Sequence, residues 1–229
     1  MADAVDVTPG PGLPRGFEVV LCAVGLTVLG PLLVAIALAI KVTSPGPVLF
    51  RQRRIGRGGE PFTLHKFRSM RIDTPGSRVT AAGDRRITPV GRVLRRTKLD
   101  ELPELFDVLR GDMALVGPRP EVPAYYDPTS PLWRPVVAVR PGLTDPVTLR
   151  LRNEEALLAS VAGPEDAGAR EAFYRDVLLP YKLRGQAEYA ARRTRWSDLR
   201  LLVLTLWRVL VPSSAPPPSI EEVRASVEG

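Results

Sequence analysis

The chain has 229 residues, 45% hydrophobic and 25% charged, which are globular values and leave room for one compact domain or two small ones. Its formal net charge of +7 implies an anionic partner: nucleic acid, acidic lipid or a phosphorylated substrate. One cysteine (Cys22) and one histidine (His65) exclude an internal disulfide, a cysteine-based zinc cluster and a His-rich metal site, so acid/base or metal chemistry falls to carboxylates.

Residues 1–14, with Pro9, Pro11 and Pro14, read as a loose tail. From Val19 to Ile40 there is no charge at all. A straight helix over that run would be roughly 33 Å long, enough for the hydrocarbon layer. It exceeds the apolar core of a signal peptide, roughly 7–15 residues, and Cys22 within it is expected to pack. Gly30-Pro31 stands mid-run. Proline removes one helix donor and leaves the Thr27 carbonyl unpaired, which costs about 3 kcal/mol in a helix interior; Gly25 and Gly30 weaken the same turns. Two outcomes stay open on these residues: a kinked spanning helix, or a helix–break–helix hairpin that enters and leaves by one face. Arg51, Arg53, Arg54 and Arg57 mark the C-terminal side as cytoplasmic, while Arg15 alone marks the other, so the flanks do not choose.

Beyond the run the pattern becomes strand-like. "PVLFRQRRIG", Arg57-Gly58-Gly59 and "PFTLHKFRSM" predict a β-hairpin with a glycine turn. Thr88-Pro89 starts a helix. Leu102, Leu105, Phe106 and Leu109 have helical spacing that Gly111 is placed to stop. Pro118, Pro120 and Pro123 mark a rigid loop, and Glu154–Ala159 and Arg170–Arg193 read as helices. In "WSDLRLLVLTLWRVLVP", Leu199, Leu202, Val203, Leu206 and Leu210 form a stripe that either packs on the core or lies in a membrane surface. A proline-rich tail follows from Pro212, and no internal repeat is present.

"GRGGEP" lacks the Lys-Ser/Thr of a phosphate loop, and there is no G-x-G-x-x-G. Most chemical content lies in "RRTKLDELPELFDVLRGDMALVGPRPE". Asp100 and Glu101 stand just ahead of Pro103, a residue favoured in the first turn of a helix, and such a pair by itself only complements the helix dipole. Here Arg95, Arg96 and Lys98 precede it, and Arg119 follows between Pro118 and Pro120. Guanidinium groups bind phosphate oxygens through paired donors, so the cluster could hold a diphosphate against a carboxylate, although each arginine alone reads as a solvated face. A carboxylate can attack phosphorus, and a magnesium ion would offset the charge repulsion.

The stretches Arg15-Gly16-Phe17-Glu18, "SPGPVLFRQRRIG", "FTLHKFRSM", "DRRITPVGRVLRRTKLDELPELFDVLRGDMALVGPRP" and "VRPGLT" together resemble the bacterial sugar transferases, monotopic polyprenyl-phosphate phosphoglycosyl transferases. The resemblance covers roughly residues 15–145 in the family's order and weakens toward the end. It implies an α+β monotopic membrane protein: a re-entrant helix over 15–42 broken at Gly30-Pro31, a small hairpin, a mostly helical catalytic domain over 43–211 with amphipathic interfacial helices, and a tail over 212–229. Both ends of the re-entrant helix would face the cytoplasm at the bacterial inner membrane. Asp100 would attack the β-phosphate of a UDP-sugar, expel UMP and carry the phosphosugar to polyprenyl phosphate, as the first membrane step of glycan assembly. Glu101, with Asp100, would bind Mg2+; Lys66, Arg68, Arg95 and Arg119 would hold phosphates. Both substrates are anionic, which accounts for the charge without nucleic acid; a homo-oligomer is left open. Three departures stand out: Gly30-Pro31 replaces the family's usual Ser-Pro, Glu18 its common Asp, and Asp145-Pro146 the Gly and Trp that often follow "VRPGLT", which bears on sugar identity. The rivals are a membrane-tethered nucleic-acid-binding protein, using the arginines of 92–96 and 192–195, and a non-catalytic membrane scaffold. The first explains the charge but not a carboxylate pair inside an arginine cluster, and the second would show neither nucleic-acid binding nor UMP release.

Overall fold

The computed structural model describes residues 9–72, 79–162, 166–211 and 218–228. The first part of the expected N-terminal tail, residues 1–8, lies outside the described residues. Residues 9–14 run against the C-terminal helices, where Gly10 N–H donates to Ala190 O at 3.0 Å and Leu13 N–H to Asp198 Oδ2 at 3.2 Å.

Helix α1 (Arg15–Thr43) is assigned without interruption across Gly30-Pro31, so the expected break in helical conformation is not present there. The reason is that proline deletes a single donor, while each half is anchored away from it, by Glu18 and Cys22 before and by Ile36 and Ile40 after. One stripe faces the protein: Glu18, Cys22, Ile36 and Ile40 are buried on it. At the N-terminal end Arg15 donates to Leu109 O at 3.1 Å, and buried Glu18 accepts the Leu115 N–H at 2.8 Å. At the other end the Arg68 guanidinium donates to Ser44 O at 2.8 Å and Ser44 Oγ at 2.7 Å. The rest of the circumference is apolar and exposed; Val28 is 71% accessible and Val42 84%.

The hairpin forms as expected. Strands β1 (Leu49–Ile55) and β2 (Pro61–Phe67) pair antiparallel, and their 3-10 turn places Gly58 and Gly59 at positive φ. Helix α2 (Pro89–Thr97) starts at Thr88, whose hydroxyl accepts the Gly91 N–H, and α3 (Glu104–Arg110) ends at left-handed Gly111. Next comes a pair with no counterpart in the sequence reading: β3 (Ala114–Val116) lies parallel to β4 (Gly142–Thr144), with α4 (Trp133–Val137) between them in the chain. Their close approach requires glycine, since a Cβ on Gly142 would sit 2.1 Å from Gly117 N.

Five short helices and a π turn complete the core: α5 (Pro146–Arg150), α6 (Glu154–Val161), α7 (Ala167–Phe173), the turn Tyr174–Leu178, α8 (Leu179–Arg192) and α9 (Arg195–Leu210). Residues 212–217 of the expected tail are outside the described residues, but its end forms α10 (Ile220–Glu228), with Val223 fully buried. The mixed content, largely helical with two small sheets, agrees with the expected α+β class.

Three apolar clusters hold these parts together. Trp133, Leu158, Phe173, Leu178 and Leu183 belong to the cluster that joins α4–α8 with α10. Cys22 of α1 packs, as expected, with Leu64, Val108, Met113, Leu115 and Leu202. Ile36 and Ile40 meet Phe67 and Leu94. Helix α9 turns Leu201, Leu202 and Asp198 inward and leaves Trp196, Val203, Leu206 and Trp207 exposed, so it packs on the core and also presents an apolar outer face. The Leu210 side chain falls outside the description.

Candidate active site

The site is assembled where α2 gives way to α3. Lys98 adopts a left-handed conformation (φ 60°), which turns the chain sharply into the 3-10 turn Leu99–Glu101. Leu99 and Leu102 pack against the cluster of Ile36, Ile40, Phe67 and Leu94, and so fix the turn beside α1. Asp100 is buried as a result, as is Glu104 one helical turn further on.

Lys66 reaches this turn from β2. Its Nζ lies 3.1 Å from Glu101 Oε1 and 3.2 Å from Glu104 Oε1. Arg119 approaches from the loop after β3 and grips Glu101 with both terminal nitrogens, Nη1 to Oε2 at 3.3 Å and Nη2 to Oε1. Among the described residues, buried Asp100 Oδ1 meets no donor, and neither does Glu104 Oε2. Two cations and three carboxylates therefore converge, with one carboxylate oxygen of Asp100 unengaged.

The environment drives the neighbouring carboxyls apart. Burial, and then Glu101 beside it, push Asp100 above the ordinary aspartate range against the pull of Lys66, Lys98 and Arg95. For Glu101 burial works against ionisation, but Arg119, Lys66 and Lys98 hold the carboxyl well below the ordinary glutamate range. Burial raises Glu104. Glu101 is thus an ionised anchor for cations, while Asp100 is a poorly solvated carboxylate of increased basicity.

Several elements hold the Arg119 loop. Asp145, fully buried at the N-cap of α5, accepts from Arg119 N–H (3.1 Å), Thr148 N–H (2.9 Å), Thr148 Oγ1 (2.7 Å) and Gln186 Nε2 (3.2 Å). Next to it, Glu121 is ion-paired with Lys182 of α8 at 2.7 Å, and Arg54 at the end of β1 donates to Pro120 O at 2.9 Å. The guanidinium is therefore presented by a loop tied to the hairpin, to α5 and to α8.

The structure brings together Asp100, Glu101, Lys66 and Arg119. Arg95 pairs with Glu155 of α6 and donates to Ser69 Oγ at 3.3 Å, although its charge still acts on Asp100. Arg68 has its donors on Ser44 and Pro45 at the end of α1, so its described partners lie outside the cluster. Gly30 and Pro31 sit mid-way along α1. Glu104 was missed although it stands four residues after Asp100, a spacing that could have marked it. Asp145 was noted only as a departure near the sugar; its Asp-Pro start was the signal of a helix cap. The His65–Asp107 contact, 2.7 Å between Nδ1 and Oδ1, joins β2 to α3 and had no local signal.

Among the described residues, no three His, Cys, Asp or Glu are arranged to hold a metal by themselves. A magnesium ion commonly uses one or two carboxylates and completes its shell with substrate phosphates and water. The unpartnered Asp100 Oδ1 fits that role. Glu101 would join it by releasing Lys66 or Arg119.

A sequence family described as bacterial sugar transferase matches residues 12–212. A UDP-glucose:undecaprenyl-phosphate glucose-1-phosphate transferase of Caulobacter vibrioides is 39% identical over 220 residues, covering 90% of this chain and 76% of that protein. The protein of that name in Escherichia coli is 35% identical over 208 residues, 89% of this chain but 41% of its own length. Exopolysaccharide production protein PSS of Rhizobium leguminosarum is 39% identical over 167 residues, covering 69% and 79% respectively.

Proposed function

The chain belongs to the bacterial sugar transferase family, and on that premise we propose that it transfers a sugar 1-phosphate from a UDP-sugar to a polyprenyl phosphate, releasing UMP. The observation that carries the proposal is the buried, unpartnered Asp100 Oδ1 under the charge of Lys66, next to Glu101, which Arg119 grips. On binding, the diphosphate takes over Lys66 and Arg119 from Glu101 and Glu104, exchanging carboxylate contacts for phosphate ones. Asp100 Oδ1 then attacks the β-phosphorus. An acyl–phosphate bond forms, the bond to the bridging oxygen breaks, and UMP leaves with the electron pair. A polyprenyl phosphate oxygen attacks the same phosphorus and returns Asp100 as a free carboxylate. A magnesium ion held by Asp100, with Glu101, would offset the repulsion between carboxylate and phosphate.

The protein sits on the cytoplasmic face of the bacterial inner membrane with α1 entering and leaving by that face, its path bent at Pro31. Support comes from the fastening of α1 at both ends to one domain, Arg15 and Glu18 at the first and Ser44 at the last. A helix crossing to the far side could not keep both sets of contacts. The exposed face of α9, with Trp196 and Trp207, suits the same membrane surface.

The test is UMP release across a panel of UDP-sugars, with and without polyprenyl phosphate. With the right sugar, UDP-sugar alone should give a burst no larger than the enzyme concentration. Intact-protein mass spectrometry should find the phosphosugar on the protein, mapped to Asp100. A burst that waits for lipid, together with turnover by Asp100→Asn, would refute the two-step route.

A further inference from the structure

The segment leading out of α1, Ser44 to Arg51, has no part in the chemistry above, yet it walls an open groove. The groove encloses about 500 Å3 between Pro47, Val48, Leu49, Phe50 and Ile72, with exposed Arg51 and buried Arg68 beside them. Its shape is built in. Gly46 is at φ 111°, and a Cβ there would come within 2.3 Å of Arg68 Nη1 and 3.0 Å of Ile72 Cδ1. Phe50 is 42% exposed and Ile72 61%, two large apolar side chains facing outward.

Two neighbours give the groove its direction. In the hairpin register Phe50 stands opposite Lys66, so both side chains lie on one face with Cβ atoms about 5 Å apart. Lys66 is the cation that meets Glu101 and Glu104. The other neighbour is the last turn of α1, where Val42 is exposed. The groove itself is walled by residues 47–51, Arg68 and Ile72; Lys66 stands across the hairpin from its Phe50 wall, and α1 ends at Thr43, four residues before its Pro47 wall.

We propose that the groove holds the first isoprene units of the acceptor lipid, with its phosphate at Lys66 and its tail leading back to the end of α1. The inference rests on reading the chain as a polyprenyl-phosphate transferase. An amphiphile with an anionic head matches apolar walls with a cation across the hairpin. A nucleotide sugar does not, because among the described residues the polar side chains lining the groove are Arg51 and Arg68, and Arg68 is engaged by Ser44 and Pro45. The volume is within the range of small-molecule sites.

Phe50→Ser and Ile72→Ser change exposed side chains, so the full-length protein should fold. In detergent micelles, each variant is assayed for UMP released from UDP-sugar alone, and for turnover against undecaprenyl phosphate and geranyl phosphate. The expected result is an unchanged UMP burst, with KM for undecaprenyl phosphate raised on the order of tenfold, the effect of losing one large apolar contact. A photoreactive polyprenyl phosphate should cross-link wild-type protein within residues 47–51 or at Ile72. An unchanged lipid KM with cross-links elsewhere would overturn the proposal, and so would variants that lose the burst itself. If wild type releases no UMP from any UDP-sugar, the functional reading fails first, a distinct outcome.

Discussion

Asp100→Asn should stabilise the protein while abolishing turnover. The wild-type carboxylate is buried and its Oδ1 meets no donor. Leaving a buried polar group unpaired costs about 1–3 kcal/mol, and more when the group is charged. Asparagine keeps the shape and removes the charge but still buries an amide, so the net gain should be about 1 kcal/mol. In a chain of this size that is a rise in Tm of about 2–4 °C. The pH dependence provides the sharper test. Burial, reinforced by Glu101, raises the folded-state pKa of Asp100. An acid raised on folding contributes stability below its unfolded pKa, about 3.9, and that contribution is lost as pH climbs to the folded value. The Tm advantage of Asp100→Asn should therefore grow with pH across that window and then level off. Differential scanning fluorimetry in detergent, with chelator present to keep metal out, measures it. A variant less stable than wild type at neutral pH, or an advantage that ignores pH, would refute the argument.

The same raised pKa places the acid limb of kcat/KM above the ordinary aspartate range, because the nucleophile must be ionised; a pH–rate profile checks this. Arg119→Lys loses the paired donors now on Glu101 and should lower kcat/KM for UDP-sugar by about 10–100-fold, the equivalent of one charge-assisted contact, in steady-state kinetics. Asp145→Ala leaves Arg119 N–H, Thr148 N–H and the Gln186 amide without their acceptor, and should destabilise by about 3 kcal/mol while raising KM for UDP-sugar; fluorimetry and kinetics together test both effects. Tags placed before Arg15 and after Gly229 should both report cytoplasm in intact cells, and a periplasmic N-terminal tag would show a spanning helix.

What was legible in the sequence was whatever depends on near neighbours. The hairpin declared itself through Gly58-Gly59 between two strand-like runs, and α2 and α3 through Thr88-Pro89 and Gly111. The short parallel pair was not legible: three-residue strands separated by 25 residues carry no periodicity, and the Gly117–Gly142 contact is visible only once folded. The same limit divides the charged residues of the candidate site. Asp100 and Glu101 were found because they adjoin each other, whereas the partners of Lys66, Arg95 and Arg119 depend on how β2, α6 and the loop after β3 meet. A run of arginines around a carboxylate pair therefore indicates chemistry without saying which arginine takes part.

The membrane segment shows a different limit. Gly30-Pro31 carries a local cost that suggests a break, but the helical assignment runs through it. A cost of about 3 kcal/mol can be offset when a helix is fastened elsewhere, here by buried Glu18 and Cys22 before the proline and by Ile36 and Ile40 after it. In the proposed re-entrant path, the proline marks where the axis would bend. The proposed topology rests on something the apolar run does not contain: the contacts of Arg15 and Glu18 with residues 109 and 115, and of Ser44 with Arg68. Breaking the first set should free the N-terminal end of α1. Glu18→Leu removes the buried acceptor of Leu115 N–H and adds an apolar side chain to the membrane segment. It should therefore move the N-terminal tag toward the periplasm more readily than Pro31→Ala, which leaves both ends fastened.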